Sequence, residues 1–435
     1  MKQHVPPISF ENCGHLMYQL LVELFPICRS ITGNGLRETL RIIQEHIPII
    51  IHEVPSGTKV FDWTVPKEWN IRDAYVMDDR GDKIIDFANN NLHVLGYSIP
   101  VDKTISLAEL QEHLYSREDL PDAIPYMTSY YQERWGFCLT HNQRMTLKDG
   151  FYKVFIDSDI SDGVLNYGEL IIPGSSEKEI LLSTDVCHPS MANNELSGPV
   201  VTTFLSKWIL ENHFRYTYRI IFIPETIGSL TYLSRNMSKM QKNIVAGFNI
   251  TCVGDERSYS YLPSKYGSTL ADRAALSILN GKHPGFKEYS FLQRGSDERQ
   301  YCSPGVDLPV VSVMRSKYFT YPEYHTSFDN LDLVTPAGLQ GGFEVIRDCL
   351  ELIERNRVYC LKCYGEPQLG KRGLYPTLGT QTLYWTVYDM MNFIAYADGT
   401  NDLIKISNLI RVPVSGIYKI VDTLLEADLL MEVDI

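Results

Sequence analysis

Polar residues at the ends of apolar segments are the part of this sequence that could do chemistry. Asp185 and His188 end the segment EILLSTDVCH, and Glu225 ends YRIIFIPE. Asp297 lies in the loop before LPVVSVM, and His325 lies in the loop after it. Imidazole and carboxylate groups are ligands for a divalent metal such as zinc, and a further carboxylate could deprotonate a metal-bound water. These residue types therefore predict metal-assisted hydrolysis, provided that the fold brings them together.

The segments that carry these residues alternate in a way that is typical of an α/β protein. EILLSTDV, YRIIFIPE, IVAGFNITCVG and LPVVSVM have few polar interruptions, which predicts buried strands. GPVVTTFLSKWILENH and STLADRAALSILNG have the apolar spacing of helices. This order predicts a mostly parallel sheet flanked by helices. Because ligands bind beyond the carboxyl ends of the strands in such a sheet, we expect the candidate residues to converge there.

Changes in composition along the chain predict three domains. Residues 57–165 contain short β-branched and aromatic segments, and we interpret them as an inserted β-rich α+β domain. Residues 1–56 and 166–365 would form the α/β domain around this insertion. Residues 366–435 begin with a segment rich in Gly and Pro and continue as helix, helix, turn, helix and strand. That order predicts a C-terminal winged-helix domain.

The composition limits the classes of partner and the compartment. The net charge of −13 argues against a general nucleic-acid-binding protein. No apolar run reaches the roughly 18 to 20 residues of a membrane helix, and the N-terminus lacks the pattern of a secretory signal. Nine cysteines with irregular spacing favour free thiols in the cytoplasm. Cys360 and Cys363 form one CxxC motif, for which a redox or metal site is the alternative interpretation.

The predicted winged helix has an acidic composition. Residues 384–435 contain three basic residues and eight acidic residues. Phosphate groups would be repelled, and we therefore expect no nucleic-acid partner. A role in packing or oligomerisation is the preferred interpretation, and a homo-oligomer is left open.

Four motifs, taken in order, resemble the zinc aminopeptidase superfamily. They are ANNELSG after His188, then PETIGS, then GSDERQYCSPGVDLPVV, then EYHTSFDNLDLV. The superfamily has an Asp-Asn-x-Ser-Gly loop, a Glu-Glu-x-Gly motif, a Ser-Asp-His motif and a closing His-Thr-x-x-Asp motif in the same order. The resemblance covers roughly residues 165 to 340. The whole layout looks like a bacterial group of aminopeptidase-like proteins that are found near polysaccharide-biosynthesis functions.

The resemblance implies roles for some residues and shows that others are missing. It places the closing histidine ligand at His325, the general base at Glu225 and the aspartate of Ser-Asp-His at Asp297. The aspartate that bridges two metals falls on Asn194, whose amide is neutral. Two further carboxylate ligands of the superfamily fall on threonines, Thr226 and Thr251. A two-metal centre is therefore not expected.

We predict a single zinc ion instead. His188, Glu195 and His325 would supply three ligands, and water would take the fourth position, as is usual for catalytic zinc. Asp185 would be a reserve ligand or a carboxylate that orients a histidine. An alternative interpretation is that Glu195 caps the helix that begins near Leu196.

The function that follows is that of an aminopeptidase-type metalloprotease or amide hydrolase acting on a small peptide or amino compound. Glu225 and Asp297 would be catalytic, although Glu225 could instead be a carboxylate that a helix N-terminus stabilises. Arg299 and Tyr324 would contact the substrate. One alternative is a catalytically inactive fold that binds a ligand or a protein. A further alternative, a transcriptional regulator that works through the winged helix, conflicts with its acidic composition.

Overall fold

The computed structural model describes residues 9–375 and 381–433, which divide into two units. The first unit contains the chain up to Gly267 together with Gly285–Arg347. The second unit contains Ser268–Pro284 and the chain from Asp348 onward. In the parts that the structure describes, no helix has the length and the apolar character to span a membrane.

The strands and helices are numbered here in chain order. The strands are Ile50–Pro55 (β1), Lys59–Val60 (β2), Trp63–Thr64 (β3), Glu68–Met77 (β4), Lys83–Asp86 (β5), Val101–Ser106 (β6), Leu114–Tyr115 (β7), Phe137–Cys138 (β8), Phe151–Ser161 (β9), Val164–Ile172 (β10), Glu179–Asp185 (β11), Thr217–Ile223 (β12), Ile244–Asn249 (β13), Ser260–Leu262 (β14), Lys287–Glu288 (β15), Val310–Met314 (β16), Val358–Leu361 (β17), Asp398–Asp402 (β18) and Leu430–Val433 (β19). The helices are Gly14–Leu24 (α1), Asn34–His46 (α2), Leu107–Gln111 (α3), His141–Met145 (α4), Ser197–Leu210 (α5), Ile227–Asn243 (α6), Leu270–Lys282 (α7), Glu298–Tyr301 (α8), Pro336–Arg355 (α9), Gln381–Tyr396 (α10), Leu403–Ile410 (α11) and Val414–Glu426 (α12).

The first unit is built on an eight-stranded sheet of order β1-β10-β12-β11-β13-β16-β14-β15. Its four central strands, β12, β11, β13 and β16, are parallel to one another. Every residue of β11 is buried, as its continuous apolar sequence predicts for a central strand. The α/β fold class and the four predicted strands are therefore confirmed.

The register of the central strands places their carboxyl ends at one edge of the sheet. Asp185, the last residue of β11, pairs with Ile223, the last residue of β12. Ser183 pairs with Asn249, the last residue of β13. The α5 helix packs closely at this edge, because a Cβ atom on Gly198 would lie 2.3 Å from the carbonyl oxygen of Ile250. The polar residues that follow these strands therefore start from the same edge.

Residues 57–165 form a second sheet within the first unit. This antiparallel sheet has the order β5-β4-β9-β6, and β9 runs along most of β4. It has its own apolar cluster, which includes Val76, Phe137 and Val154. A two-residue turn joins β9 to β10 of the main sheet. The predicted domain boundaries at residues 57 and 165 stay a prediction.

A partly buried ion pair joins α2 to the start of β4. Both carboxylate oxygens of Glu68 accept hydrogen bonds from Arg37, and Glu68 also accepts from Asn70 and from the backbone of Val164. The Arg37 guanidinium, followed by Asn70 and Val164, lowers the pKa of Glu68 to about 2.

Replacing Glu68 with glutamine should lower the free energy of unfolding by about 1–2 kcal/mol at pH 7, since Arg37 loses its charged hydrogen-bond partner and solvent only partly screens the pair. The folded-state pKa lies below the usual value of 4.5, so the contribution of Glu68 is present above pH 4.5 and is lost as the pH falls toward 2. Urea unfolding at several pH values measures this. An equal pH dependence in the wild type and in Glu68→Gln would contradict it.

The second unit contains the predicted winged helix. Helices α10, α11 and α12 lie alongside a three-stranded sheet of order β18-β17-β19. Its apolar cluster includes Phe393, Ile406, Ile417 and Leu424. The expected helices and the final strand are therefore present. Helix α7, which the sequence also predicts, belongs to this unit and is joined to it by an ion pair between Arg273 and Asp402.

Candidate active site

His188 and Glu195 form a buried pair beyond the end of β11. The Nδ1 atom of His188 lies 2.6 Å from Oε2 of Glu195, and Oε1 of Glu195 accepts the backbone N–H of Cys187. Residues Ala192–Leu196 wind into a single π-helical turn before α5, and Glu195 lies in this turn. The start of α5 has no side-chain cap, so the interpretation of Glu195 as a helix cap is wrong.

The pair has a strong electrostatic coupling because it is buried. Burial works to lower the pKa of His188, but the charge and hydrogen bond of Glu195 outweigh it and the pKa is raised. Burial works to raise the pKa of Glu195, but His188 and then Arg29 outweigh it and the pKa is lowered. Arg29 donates from Nε to the backbone oxygen of His188. The pair therefore has an ionised carboxylate behind the histidine.

Glu225 lies two residues beyond β12 and faces the free nitrogen of His188. Its Oε2 atom is 3.9 Å from Nε2 of His188, and its Oε1 atom is 3.9 Å from Nη2 of Arg299. Burial raises the pKa of Glu225 to about 7. The charge of His188 works to lower this pKa, and the charge of Asp297 raises it further. A carboxylate with such a pKa is suited to accept a proton near neutral pH.

Asp185 and Asp297 are two fully buried carboxyl groups next to Glu225. Oδ1 of Asp297 accepts hydrogen bonds from the Thr226 backbone (2.8 Å) and from Ser229 (2.7 Å), and Oδ2 of Asp185 accepts one from Ser296 (2.9 Å). Oδ1 of Asp185 and Oδ2 of Asp297 are buried without a donor among the described residues. Burial raises the pKa of both groups. Such oxygens fit a shared proton or a bound cation.

His325 approaches His188 from the loop between β16 and α9. The centroids of the two imidazole rings are 5.3 Å apart, and the Tyr324 ring stacks on His325 at 3.9 Å. Burial and then the charge of His188 hold the pKa of His325 well below its usual range. His325 is therefore neutral at pH 7, which is the form that binds metals.

The structure thus brings all eight predicted site residues to one place. The ligand candidates are His188, Glu195, His325 and Asp185, the catalytic candidates are Glu225 and Asp297, and the substrate candidates are Arg299 and Tyr324. Arg299 donates to the Thr226 hydroxyl as well as facing Glu225, and Tyr324 supports the ring of His325. Their assigned roles stay predictions.

Asn194, Thr226 and Thr251 replace the carboxylate ligands that a two-metal centre would need, and each of them takes part in a hydrogen bond. Oδ1 of Asn194 lies 3.1 Å from Nε2 of His325, and the backbone oxygen of Asn194 accepts a hydrogen bond from Thr251. The Thr226 hydroxyl accepts one from Arg299. None of the three side chains carries a negative charge that could compensate a second cation.

Backbone strain is concentrated around this site. Four non-glycine residues here have positive φ angles: Ser190 (39°), Thr226 (65°), Cys252 (53°) and His325 (56°). Such conformations cost free energy and persist where the surrounding structure enforces them. Strain of this kind is common at active sites and supports a functional role for this edge of the sheet.

The segment 57–165 supplies one wall of the site. The Tyr126 N–H donates to the His325 carbonyl at 2.9 Å, and the Ser327 N–H donates to the Ile124 carbonyl at 2.8 Å. The Tyr126 ring meets His188 and His325 edge-on, with centroid distances of 4.8 and 5.2 Å. The Tyr126 and Tyr130 hydroxyls are 2.9 Å apart. We call the paired segments 124–127 and 325–327 the wall ladder.

Sequence reasoning missed this wall and also Arg29. The aromatic-rich segment SYYQERWGF, which contains Tyr130, was the only signal in the sequence, and it does not indicate which elements it contacts. Arg29 lies in the connection between α1 and α2, and it is fully buried.

A cavity of about 360 Å³ opens onto His188 and Glu225. Its polar lining includes Thr226, Arg299 and Gln300. Its aromatic lining comes from the segment 57–165 and comprises Trp63, Tyr130 and Tyr131. The cavity therefore has polar and charged residues near His188 and Glu225 and aromatic residues from the segment 57–165. Ligand pockets commonly combine apolar lining with a few polar groups in this way.

Among the described residues, one group of three possible ligands is close enough to hold a metal ion such as zinc. One potential ligand atom from each of Cys187, His188 and Glu195 lies within 4.8 Å of the other two. Burial raises the pKa of the Cys187 thiol well above its usual range, and its sulfur accepts the Glu225 N–H at 3.3 Å, so Cys187 is a poor ligand. The other possible donors are Nε2 of His188, neutral His325 and the carboxylates of Asp185 and Asp297, and among the described residues they form no further group of three within 4.8 Å of one another.

The chain matches two known protein families. Residues 18–356 match a family described as a domain of unknown function (DUF4910), and residues 357–432 match a winged helix-turn-helix family. The chain belongs to the first of these families. Its C-terminal domain is a winged helix.

Relatives and solved structures connect the DUF4910 family to aminopeptidases. A Clostridium acetobutylicum protein is 50% identical over 405 residues, covers 92% of each chain, and is described as a candidate polysaccharide biosynthesis protein with an aminopeptidase-like domain. The crystal structure of a candidate peptidase from C. acetobutylicum has a TM-score of 0.90 and 46% identity, covering 98% of this chain and 97% of that one. A zinc aminopeptidase from Bacillus subtilis has a TM-score of 0.54 at 14% identity, covering 79% and 94%. The chain thus has an aminopeptidase-like fold.

Proposed function

We propose that this DUF4910 protein is a cytoplasmic, metal-dependent hydrolase that cleaves a peptide or amide bond in a small substrate. The observation that carries the proposal is the arrangement of His188. A buried carboxylate engages its Nδ1 atom, and its Nε2 atom faces Glu225. A carboxylate behind a histidine is the arrangement that orients metal-binding histidines and raises their basicity.

A single zinc ion would be held by Nε2 of His188 and by His325, with Asp185 as a further donor. Glu195 would act by orienting His188, because both of its oxygens already accept hydrogen bonds. This revises the sequence prediction that Glu195 is itself a ligand. Zinc bound there would polarise the carbonyl of the bond to be cleaved and make a bound water more acidic.

The remaining residues would position the substrate and move protons. Glu225 would take a proton from the attacking water and return it to the leaving amine. Asp297 would hold the turn that carries Glu225, through its hydrogen bonds to Thr226 and Ser229. Arg299 would bind substrate polar groups at the cavity. The aromatic lining would exclude water from the reacting groups.

The test is the zinc content of protein purified without added metal. We expect about one zinc per chain in the wild type. His188→Ala and His325→Ala should each lose most of it, and His213→Ala, which removes an exposed histidine, should keep it. Elemental analysis after dialysis measures this. Absence of zinc from the wild type, or unchanged zinc in both site variants, would contradict the proposal.

A second candidate function is ligand binding without catalysis. The hydrogen bond between Asn194 and Nε2 of His325 favours it, because it engages a nitrogen that a metal would need. This function predicts no hydrolysis of a panel of aminoacyl and peptide substrates at saturating zinc. Any hydrolysis that Glu225→Gln abolishes would exclude it.

A further inference from the structure

A second cavity, of about 380 Å³, is lined by the segment 57–165 and by His325, and it shares no lining residue with the cavity at His188. His325 and Tyr126 line it, and Tyr126 also contacts His188. Its other polar lining comprises Tyr115, Ser116, Arg117 and Arg144, and the rest is apolar. The two arginines are its only permanently charged lining residues, and no aspartate or glutamate is among them. The lining therefore offers two guanidinium groups and no carboxylate.

Arg144 carries a positive charge that no carboxylate compensates within the described residues. Its Nε atom donates to the side-chain oxygen of Gln111 at 2.7 Å, and Nη2 donates to the backbone oxygen of Gln111 at 3.1 Å. Its Nη1 atom lies 3.4 Å from the Ser116 hydroxyl. All three acceptors are neutral. They fix the guanidinium in place, so that little side-chain entropy is lost when an anion binds.

The neighbouring groups add donors to the same cavity. Arg117 forms two hydrogen bonds with Asp119, whose side chain is 70% exposed, so solvent weakens that pair. The Ser116 hydroxyl lies 3.2 Å from Nδ1 of His141. A planar guanidinium beside hydroxyl donors is suited to a carboxylate or a phosphate group.

We propose that this cavity is a binding site for a small anion, a carboxylate or a phosphate group. The cavity shares no lining residue with the cavity at His188, so the bound anion lies apart from Glu225. His325 lines the anion site, and its ring centroid is 5.3 Å from that of His188. A bound anion would therefore lie beside a proposed zinc ligand, and only this last statement rests on the proposed hydrolase function.

The test is calorimetric titration of inorganic phosphate, and separately of acetate, into metal-free protein. We expect the wild type to bind at least one of the two anions, and the tighter one identifies the source of the anionic group. Arg144→Gln should weaken that binding about tenfold or more, since hydrogen bonds to charged groups are strong. Arg72→Gln is the control, because Arg72 pairs with Asp157 and Asp159 on the second sheet and lines no part of this cavity. Equal affinities in the wild type and Arg144→Gln, or no binding of either anion, would overturn the proposal.

A second variant covers the case in which Arg144→Gln does not fold. Ser116→Asp keeps Arg144 and places a carboxylate beside it, so that it should abolish anion binding. Unchanged binding in Ser116→Asp would overturn the proposal. Because the protein is metal-free, failure of the zinc test leaves this result readable. If the protein retained no zinc but bound an anion through Arg144, the proposed anion site would be supported and only the proposed hydrolase function would be contradicted.

Discussion

Replacing Glu225 with glutamine is expected to lower kcat/KM for a cleaved peptide by about 10²- to 10⁴-fold, the usual contribution of a general base. Glutamine keeps the shape of the side chain but cannot accept a proton. The zinc content should stay at the wild-type level, because Glu225 is 3.9 Å from His188 and is not in the proposed ligand set. Steady-state kinetics, together with elemental analysis of the same preparations, measure both quantities.

The matched control is Glu256→Gln. Glu256 lies in the loop after β13 and accepts a hydrogen bond from the Thr335 hydroxyl, and it does not line the cavity at His188. This variant should keep kcat/KM within about twofold, as surface substitutions usually have small effects. If Glu225→Gln retained the wild-type kcat/KM, Glu225 would not be the base. If it lost its zinc, Glu225 would be a ligand instead.

Replacing Glu195 with glutamine is expected to weaken zinc binding about 10- to 100-fold, the usual effect of removing the partner of a ligand. Glu195 accepts hydrogen bonds from His188 and from the Cys187 N–H. An amide has one acceptor oxygen and one NH₂ group, so it cannot satisfy both donors. The charge that raises the pKa of His188 also disappears, and with it part of the basicity of Nε2.

Titration with a competing chelator measures the zinc affinity of Glu195→Gln. At saturating metal the variant should still bind the same number of ions as the wild type, because Glu195 orients a ligand and is not one. The control is Glu179→Gln, which removes a buried carboxylate that is paired with Arg219 at the opposite end of β11. This control should lose stability but keep its zinc affinity. A reduced number of ions in Glu195→Gln would restore the role of direct ligand.

Strand order explains why much of the site could be predicted from the sequence. Asp185, His188 and Glu225 follow strands that are buried and parallel, and the sheet alone brings such positions together. The orienting contact of Glu195 could not be predicted, because it depends on one π-helical turn that has no sequence signature. Tyr126 could not be predicted either, since nothing local indicates that it pairs with a loop about two hundred residues away.

The same reasoning applies at the level of whole elements. The helices and the final strand of the winged helix follow from local apolar spacing, whereas the pairing of β17 with β19 joins distant parts of the chain. Helix α7 was predicted as a helix for the same reason. Its place in the second unit was not foreseen, because it depends on contacts with a distant part of the chain, such as the Arg273–Asp402 pair.

The wall ladder has a consequence for how this protein can be altered. Residues 124–127 come from a segment that looks dispensable in the linear sequence, but they share backbone hydrogen bonds with the loop that bears His325. Trimming the chain to a minimal α/β scaffold would therefore remove the support of a histidine that lies two hundred residues away. An engineer who moves the His325 loop to another scaffold therefore has to move residues 124–127 with it.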